Sequence, residues 1–191
     1  MFSYGLLGLI VAIGGYLVWA YNALVKNKNL VEEGWSGIDV QLRRRADLIP
    51  NLIETVKGYA SHEDKLFRDI AELRAKSISG GTVGEQSAVG QAMSAALGRL
   101  FAIAEAYPEL KADANFRDLQ AQLEGTENRI TVARNRYIDT VRQYNISVRT
   151  FPNNLTAMVM GYKTKANFTV EDEKAISAPP VIKFDTPAAA K

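Results

Sequence analysis

The sequence predicts an all-α, membrane-anchored protein: a single N-terminal transmembrane helix followed by an elongated antiparallel bundle of three or four long helices. Three observations predict it. Residues 2–21 carry no charge. The middle of the chain is dominated by Ala, Leu, Glu, Arg and Gln, all good helix formers. Its apolar residues recur at spacings of three and four, not two. Three units are expected: an anchor over 1–25, a bundle over 26–161, and a polar, Pro- and Ala-rich tail over 162–191.

The anchor is FSYGLLGLIVAIGGYLVWAY. About 20 apolar or small residues at roughly 1.5 Å each match the roughly 30 Å hydrocarbon core of a bilayer. Tyr4 at one end and Trp19 and Tyr21 at the other suit the two interfaces. A cleaved signal peptide would want a basic start, a shorter apolar core and an A-x-A site, and the residues around Ala20 and Ala23 do not supply one. Lys26 and Lys28 follow the span and no Lys or Arg precedes it. The positive-inside rule therefore predicts an inner-membrane protein with its N-terminus outside and its helical domain in the cytoplasm. Gly5, Gly8, Ala12 and Gly15 share one helix face, where small residues let two helices approach closely, and they are the expected anchor-packing residues.

Beyond the anchor a seam runs through Val31, Trp35, Ile38, Leu42, Ile49, Leu52, Val56, Tyr59, Leu66, Ile70 and Leu73, broadened by Ile53 and Phe67. Pro50 interrupts it, so a kink, or a restart capped by Asp47, is expected there. A second adjustment is expected near Ser61, three residues before Asp64. Residues 77–84, SISGGTVG, read as a loop. A second segment presents Val89, Met93, Ala96, Leu100 and Ile103, and ends near Tyr107-Pro108. A third, with Asn115 as its N-cap, presents Phe116, Leu119, Leu123, Ile130, Ala133, Tyr137 and Tyr144 and ends at Phe151-Pro152-Asn153-Asn154. Leu155 begins a short apolar turn.

Arg45 occupies a seam position, where an unpaired charge is costly, so an interhelix polar contact is expected from it, with the acceptor on another helix. Other arginines, among them Arg129, Arg134, Arg136, Arg142 and Arg149, are read as pairing with neighbouring carboxylates or staying solvated, ahead of binding anionic lipid.

These residues resemble the LemA family. The resemblance rests on Tyr21-Asn22, Trp35-Ser36-Gly37-Ile38-Asp39-Val40-Gln41-Leu42 and Arg44-Arg45-Ala46-Asp47-Leu48-Ile49-Pro50-Asn51-Leu52. It continues through Glu124-Gly125-Thr126-Glu127-Asn128-Arg129-Ile130, Ala133-Arg134, Arg136-Tyr137, Tyr144-Asn145 and Phe151-Pro152-Asn153-Asn154. It implies a bacterial membrane-anchored bundle of long antiparallel helices with no assigned catalysis. It also brings in a relative used in building magnetosome membranes, which makes membrane organisation a function to test.

No catalytic, cofactor or metal site is expected. A di-metal carboxylate bundle needs two histidines and His62 is alone; a nucleophilic triad would rest on the same residue. Ser79-Gly80-Gly81 lacks the Gly-Lys-Ser/Thr ending of a phosphate loop. With no cysteine, disulfides, thiolate chemistry and lipoprotein acylation are excluded, and a net charge of +2 is too small to argue for nucleic acid. The expected partners are the lipid bilayer, further copies of the chain, and for one reading a protein. Two functions follow: a self-assembling membrane scaffold, or a tethered adaptor that recruits a partner such as a protease or signalling protein.

Overall fold

The computed structural model describes residues 2–60 and 62–165. Helix α1, Phe2–Lys57, is one run of 56 residues, about 84 Å long at roughly 1.5 Å per residue. It is long and apolar enough to cross a membrane, and it continues through residues 25 and 26 without a break. The chain then reverses, and α2, Asp64–Ile78, returns antiparallel along the distal part of α1. Lys57 lies over the Phe67 ring at one end of this pair, and Arg74 meets Ala46 at the other. The seam read as one series from Val31 to Leu73 is thus split between two helices. Tyr59 falls in the turn between them and is exposed, as is His62. Ser61 lies outside the described residues. Glu63 holds the N-cap position of α2 without a side-chain bond.

Pro50 does not restart the helix, and Asp47 is not a cap; both lie inside α1. A proline without an N–H orphans the carbonyl four residues earlier, here that of Ala46. Arg74 supplies the missing donor, its Nε donating to the Ala46 carbonyl at 2.8 Å. Arg74→Met is expected to cost about 1–2 kcal/mol, because a charged donor is lost from a half-buried carbonyl. Pro50→Ala restores the natural donor, so the same substitution should cost much less in that background. Urea unfolding of the four chains measures the difference; equal costs with and without Pro50 would disprove the compensation.

Helix α3, Val83–Ala104, begins inside the segment read as a loop. Thr82 and Glu85 form a capping box: the Glu85 N–H donates to the Thr82 hydroxyl, and the Thr82 N–H donates to the Glu85 carboxylate at 2.8 Å. These donors hold the Glu85 carboxyl below its ordinary range. The expected face of α3 is buried at Met93, Ala96 and Leu100, and burial extends to residues outside it. Gln86, Ser87, Gly90, Met93, Leu97 and Leu100 are buried, whereas Val89 and Ile103 are half-buried. Arg45 and Arg134 approach this face at Gly90, and one turn earlier the Gln86 amide donates to the Lys76 carbonyl at 3.3 Å.

A short helix α4, Pro108–Ala112, leads into α5, Ala114–Arg149. Asp113, not Asn115, is the N-cap of α5: it is the last extended residue, and its side chain accepts from the Phe116 N–H at 2.9 Å. Helix α5 runs antiparallel to α1 for its whole length, pairing Tyr59 with Asp113 at the distal end and Asn27 with Ser147 near the anchor. Thr126 and Thr140, on the seam of α5, return their hydroxyl protons to the carbonyls of Gln122 and Tyr137.

Helix α6, Asn153–Val159, follows the turn at Phe151 and Pro152. It ends in a Schellman motif, with Tyr162 N–H bonded to the Ala157 carbonyl and Gly161 N–H to Met158. Gly161 has φ +71, a left-handed conformation that glycine adopts without strain. Residues 162–165 then lie back along α5. The Tyr144 hydroxyl donates to the Lys163 carbonyl, and the Asn145 side chain exchanges two bonds of 2.8 Å with the Lys165 backbone.

Two apolar clusters fill the bundle. The distal one joins Ile49, Leu52 and Val56 to Ile70, Met93, Leu100, Phe116 and Leu123. The proximal one joins Leu24, Val31, Ile38 and Leu42 to Ile130, Tyr137, Val141, Tyr144 and Ala157.

Candidate functional site

Between the two clusters lies a buried polar layer. Arg45 is 1% exposed. Its guanidinium donates to Glu127 at 2.8 Å, to the Ser94 hydroxyl at 3.1 Å and to the Gly90 carbonyl at 3.4 Å. The Ser94 hydroxyl lies within hydrogen-bond distance of both Glu127, at 2.9 Å, and the Gly90 carbonyl, at 3.0 Å. The half-buried Arg134 shares the layer: a Cβ added at Gly90 would stand 2.7 Å from its Nη2. Burial pushes the Arg134 guanidinium below the ordinary arginine range; Glu127 counters this and Arg45 adds to it. Two guanidiniums, one from α1 and one from α5, thus share one carboxylate of α5, with α3 supplying the Ser94 hydroxyl and the Gly90 carbonyl. Burial also pushes the Tyr137 phenol upward, four residues before Val141 on α5. Sequence reasoning marked Arg45 but assigned no role to Glu127, Ser94 or Gly90. Glu127 directly follows the seam residue Thr126 in the register of α5, and that was the available signal.

The layer ties α1, α3 and α5 to one another. Arg45, Ser94 and Glu127 bond to one another and to the Gly90 carbonyl.

The anchor presents a different surface. Gly5, Gly8 and Gly15 face open space, with no atom within 4 Å of an added Cβ, and Ala12 is exposed. Leu6, Leu9, Ile10, Ile13 and Val18 are exposed as well. Cover begins only at Tyr16, which is half-buried, and at Ala20 and Leu24, which are fully buried on one side of α1. Tyr16 and Trp19 stack as tilted rings, 6.1 Å apart.

Above the anchor, α1 and α5 enclose an open groove floored by Gly34 and Gly37 and walled by Leu30, Val40, Val132 and Ala133. Val40 and Val132 are largely exposed. Arg129 and Arg136 stand on its α5 side and Glu33 on its α1 side, so the groove has an apolar floor and a charged margin.

The model of the LemA family matches residues 34–184. The chain belongs to the LemA family. Among relatives with names, Magnetosome protein MamQ 1 of Paramagnetospirillum magneticum is 25% identical over 199 residues, spanning 91% of this chain and 72% of that protein. Magnetosome protein MamQ of Magnetospirillum gryphiswaldense is 26% identical over the same shares. The LemA match begins at Gly34, on the floor of the groove, and takes in all of α2 to α6. With its apolar N-terminal helix the chain is a membrane-associated helical protein, and the buried layer and most of the groove lie within the LemA-matched region.

Proposed function

We propose that this LemA protein is a non-enzymatic scaffold of the bacterial inner membrane, which self-associates and organises the membrane around it. One observation carries the reading: a single unbroken helix joins the bare small-residue face of the anchor to the open groove of the bundle. Two weak contact surfaces on one rigid rod reinforce each other, because association at one fixes the geometry at the other. The names of the MamQ relatives favour a role in membrane organisation. Lys26 and Lys28 favour a cytoplasmic bundle, with the N-terminus outside.

The full-length protein in a mild detergent should form a large, uniform particle by light scattering and negative-stain imaging. Gly8→Leu in the anchor and Val132→Glu in the groove should each reduce its size, and together abolish it. A monomeric parent chain in both detergent and lipid would remove the scaffold and favour the tethered adaptor. The adaptor would be sought by pull-down of partner proteins with and without residues 166–191.

A further inference from the structure

Helix α6 is built inside out. Its polar Thr156 is buried with Ala157 against α1 and α5, whereas Leu155, Met158, Val159 and Met160 are exposed, and so is Phe151 in the turn before it. Met158 is 75% and Val159 82% exposed. A helix in water turns its apolar side inward; the reverse arrangement marks a surface that meets something other than water. Residues 150–162 carry no charge, and Arg149 and Lys163 bound them on either side.

The position of α6 indicates what covers it. The Tyr16 hydroxyl donates to the Asn153 side chain at 3.0 Å, α6 packs on α1, and Ala20, one turn beyond Tyr16, is fully buried. Tyr16 lies inside the uncharged stretch, about 7.5 Å short of Tyr21 along the axis. Side chains on a helix lean toward its N-terminus, which carries that hydroxyl deeper still. The start of α6 is therefore fixed at a depth where α1 exposes Leu17, Val18 and Trp19. One apolar band crosses both elements.

We propose that α6 is a second membrane element, a short interfacial helix whose Phe151, Leu155, Met158 and Val159 insert into the leaflet that α1 leaves toward the bundle. Arg149 and Lys163 then stand at headgroup level, where cations suit anionic lipid. The inference rests on the membrane anchorage of α1 and adds a consequence: two contacts with the bilayer fix the tilt and rotation of the rod, where one helix alone would leave it free to swivel. The occupant is the lipid that already surrounds the anchor, since the Tyr16–Asn153 bond holds the α6 surface at its edge.

The chain has no cysteine, so single reporters need no prior engineering. Ile10→Cys, Met158→Cys and Glu109→Cys each replace an exposed side chain, in the anchor, in α6 and at the distal end. Each full-length variant is labelled with bimane and reconstituted in phosphatidylcholine–phosphatidylglycerol vesicles that carry nitroxide lipids. The Met158→Cys label should lose about half its emission to nitroxides placed about 5–10 Å below the headgroups, the depth of interfacial helices. The Ile10→Cys label should be quenched by deeper nitroxides, and the Glu109→Cys label by neither. Quenching at Ile10→Cys without quenching at Met158→Cys overturns the inference and leaves the anchor intact. Disulfide cross-linking between Met158→Cys chains in place of quenching overturns it in favour of a second copy on this surface. Absence of quenching at Ile10→Cys as well removes the anchor and the inference together.

Discussion

Replacing Glu127 by alanine is expected to destabilise the bundle by about 3 kcal/mol, because it strands the buried charge of Arg45. Arg45 is 1% exposed, and among the described residues its charged partner is Glu127; Ser94 and Gly90 supply only neutral acceptors. Arg134 stands in the same layer, so loss of the carboxylate leaves two guanidiniums facing each other. Breaking a buried pair from one side costs roughly 3–5 kcal/mol, and the lower end applies because water reaches Glu127, which is 38% exposed. At about 2–4 °C per kcal/mol for a domain of this size, the helical melt in detergent should fall by roughly 6–12 °C. Glu127→Gln keeps an acceptor and should lose less. Arg45→Met placed on Glu127→Ala removes the stranded charge, and part of the lost stability should return. An unchanged melt for Glu127→Ala would mean that the layer is indifferent to its charges.

That layer also explains how much of the molecule is legible in the sequence. The long helices are legible because their signals are local: the uncharged stretch 2–21, the spacing of Val31, Ile38 and Leu42, and the spacing of Phe116, Leu123 and Ile130. The N-terminal part of the buried face of α3 is not legible that way, although Met93, Ala96 and Leu100 are. Gln86, Ser87 and Gly90 look like surface residues; Gly90 is met by Arg45 and Arg134, from helices distant in the chain, and Gln86 by the end of α2, where its amide donates to the Lys76 carbonyl. Pro50 misleads for the same reason, since the donor that compensates for it, Arg74, lies on the next helix. The end of α1 is hidden by periodicity itself: Tyr59 and Glu63 continue the seam register through a turn, and the register alone cannot show that the chain reverses there. By contrast, the start of α3 was open to reading, because Thr82 and Glu85 stand at capping-box spacing inside a stretch whose glycines suggested only a loop. Inverted polarity in α6 is visible only once Thr156 and Met158 are seen on opposite sides.

Gly34 and Gly37 sit three residues apart on α1, yet a side chain should have opposite effects at the two. At Gly34 an added Cβ meets the Thr140 hydroxyl at 3.2 Å and the Tyr137 Cα at 3.5 Å. The hydroxyl is the tight contact, and the α5 backbone already stands at van der Waals distance behind the added Cβ, so the further atoms of a longer side chain must displace one or the other. Gly34→Leu should therefore cost about 1–3 kcal/mol, the range for overpacking a well-filled interface. Gly37 has no atom within 4 Å of the same position. Gly37→Ala should stabilise the helix by up to about 1 kcal/mol, the propensity difference between glycine and alanine. Denaturant unfolding followed by circular dichroism measures both. A second readout locates the damage: Trp35 packs edge-on to Tyr137 at 5.9 Å, so Gly34→Leu should change tryptophan emission, while Gly37→Ala should leave it alone. If Gly34→Leu melted like the parent chain, α1 and α5 would not lie in such close contact at this point. Gly37 carries the complementary test, because it lines the groove assigned to self-association. A Gly37→Ala chain that is more stable yet smaller in light scattering would separate folding from assembly, and would place the assembly contact on the groove floor.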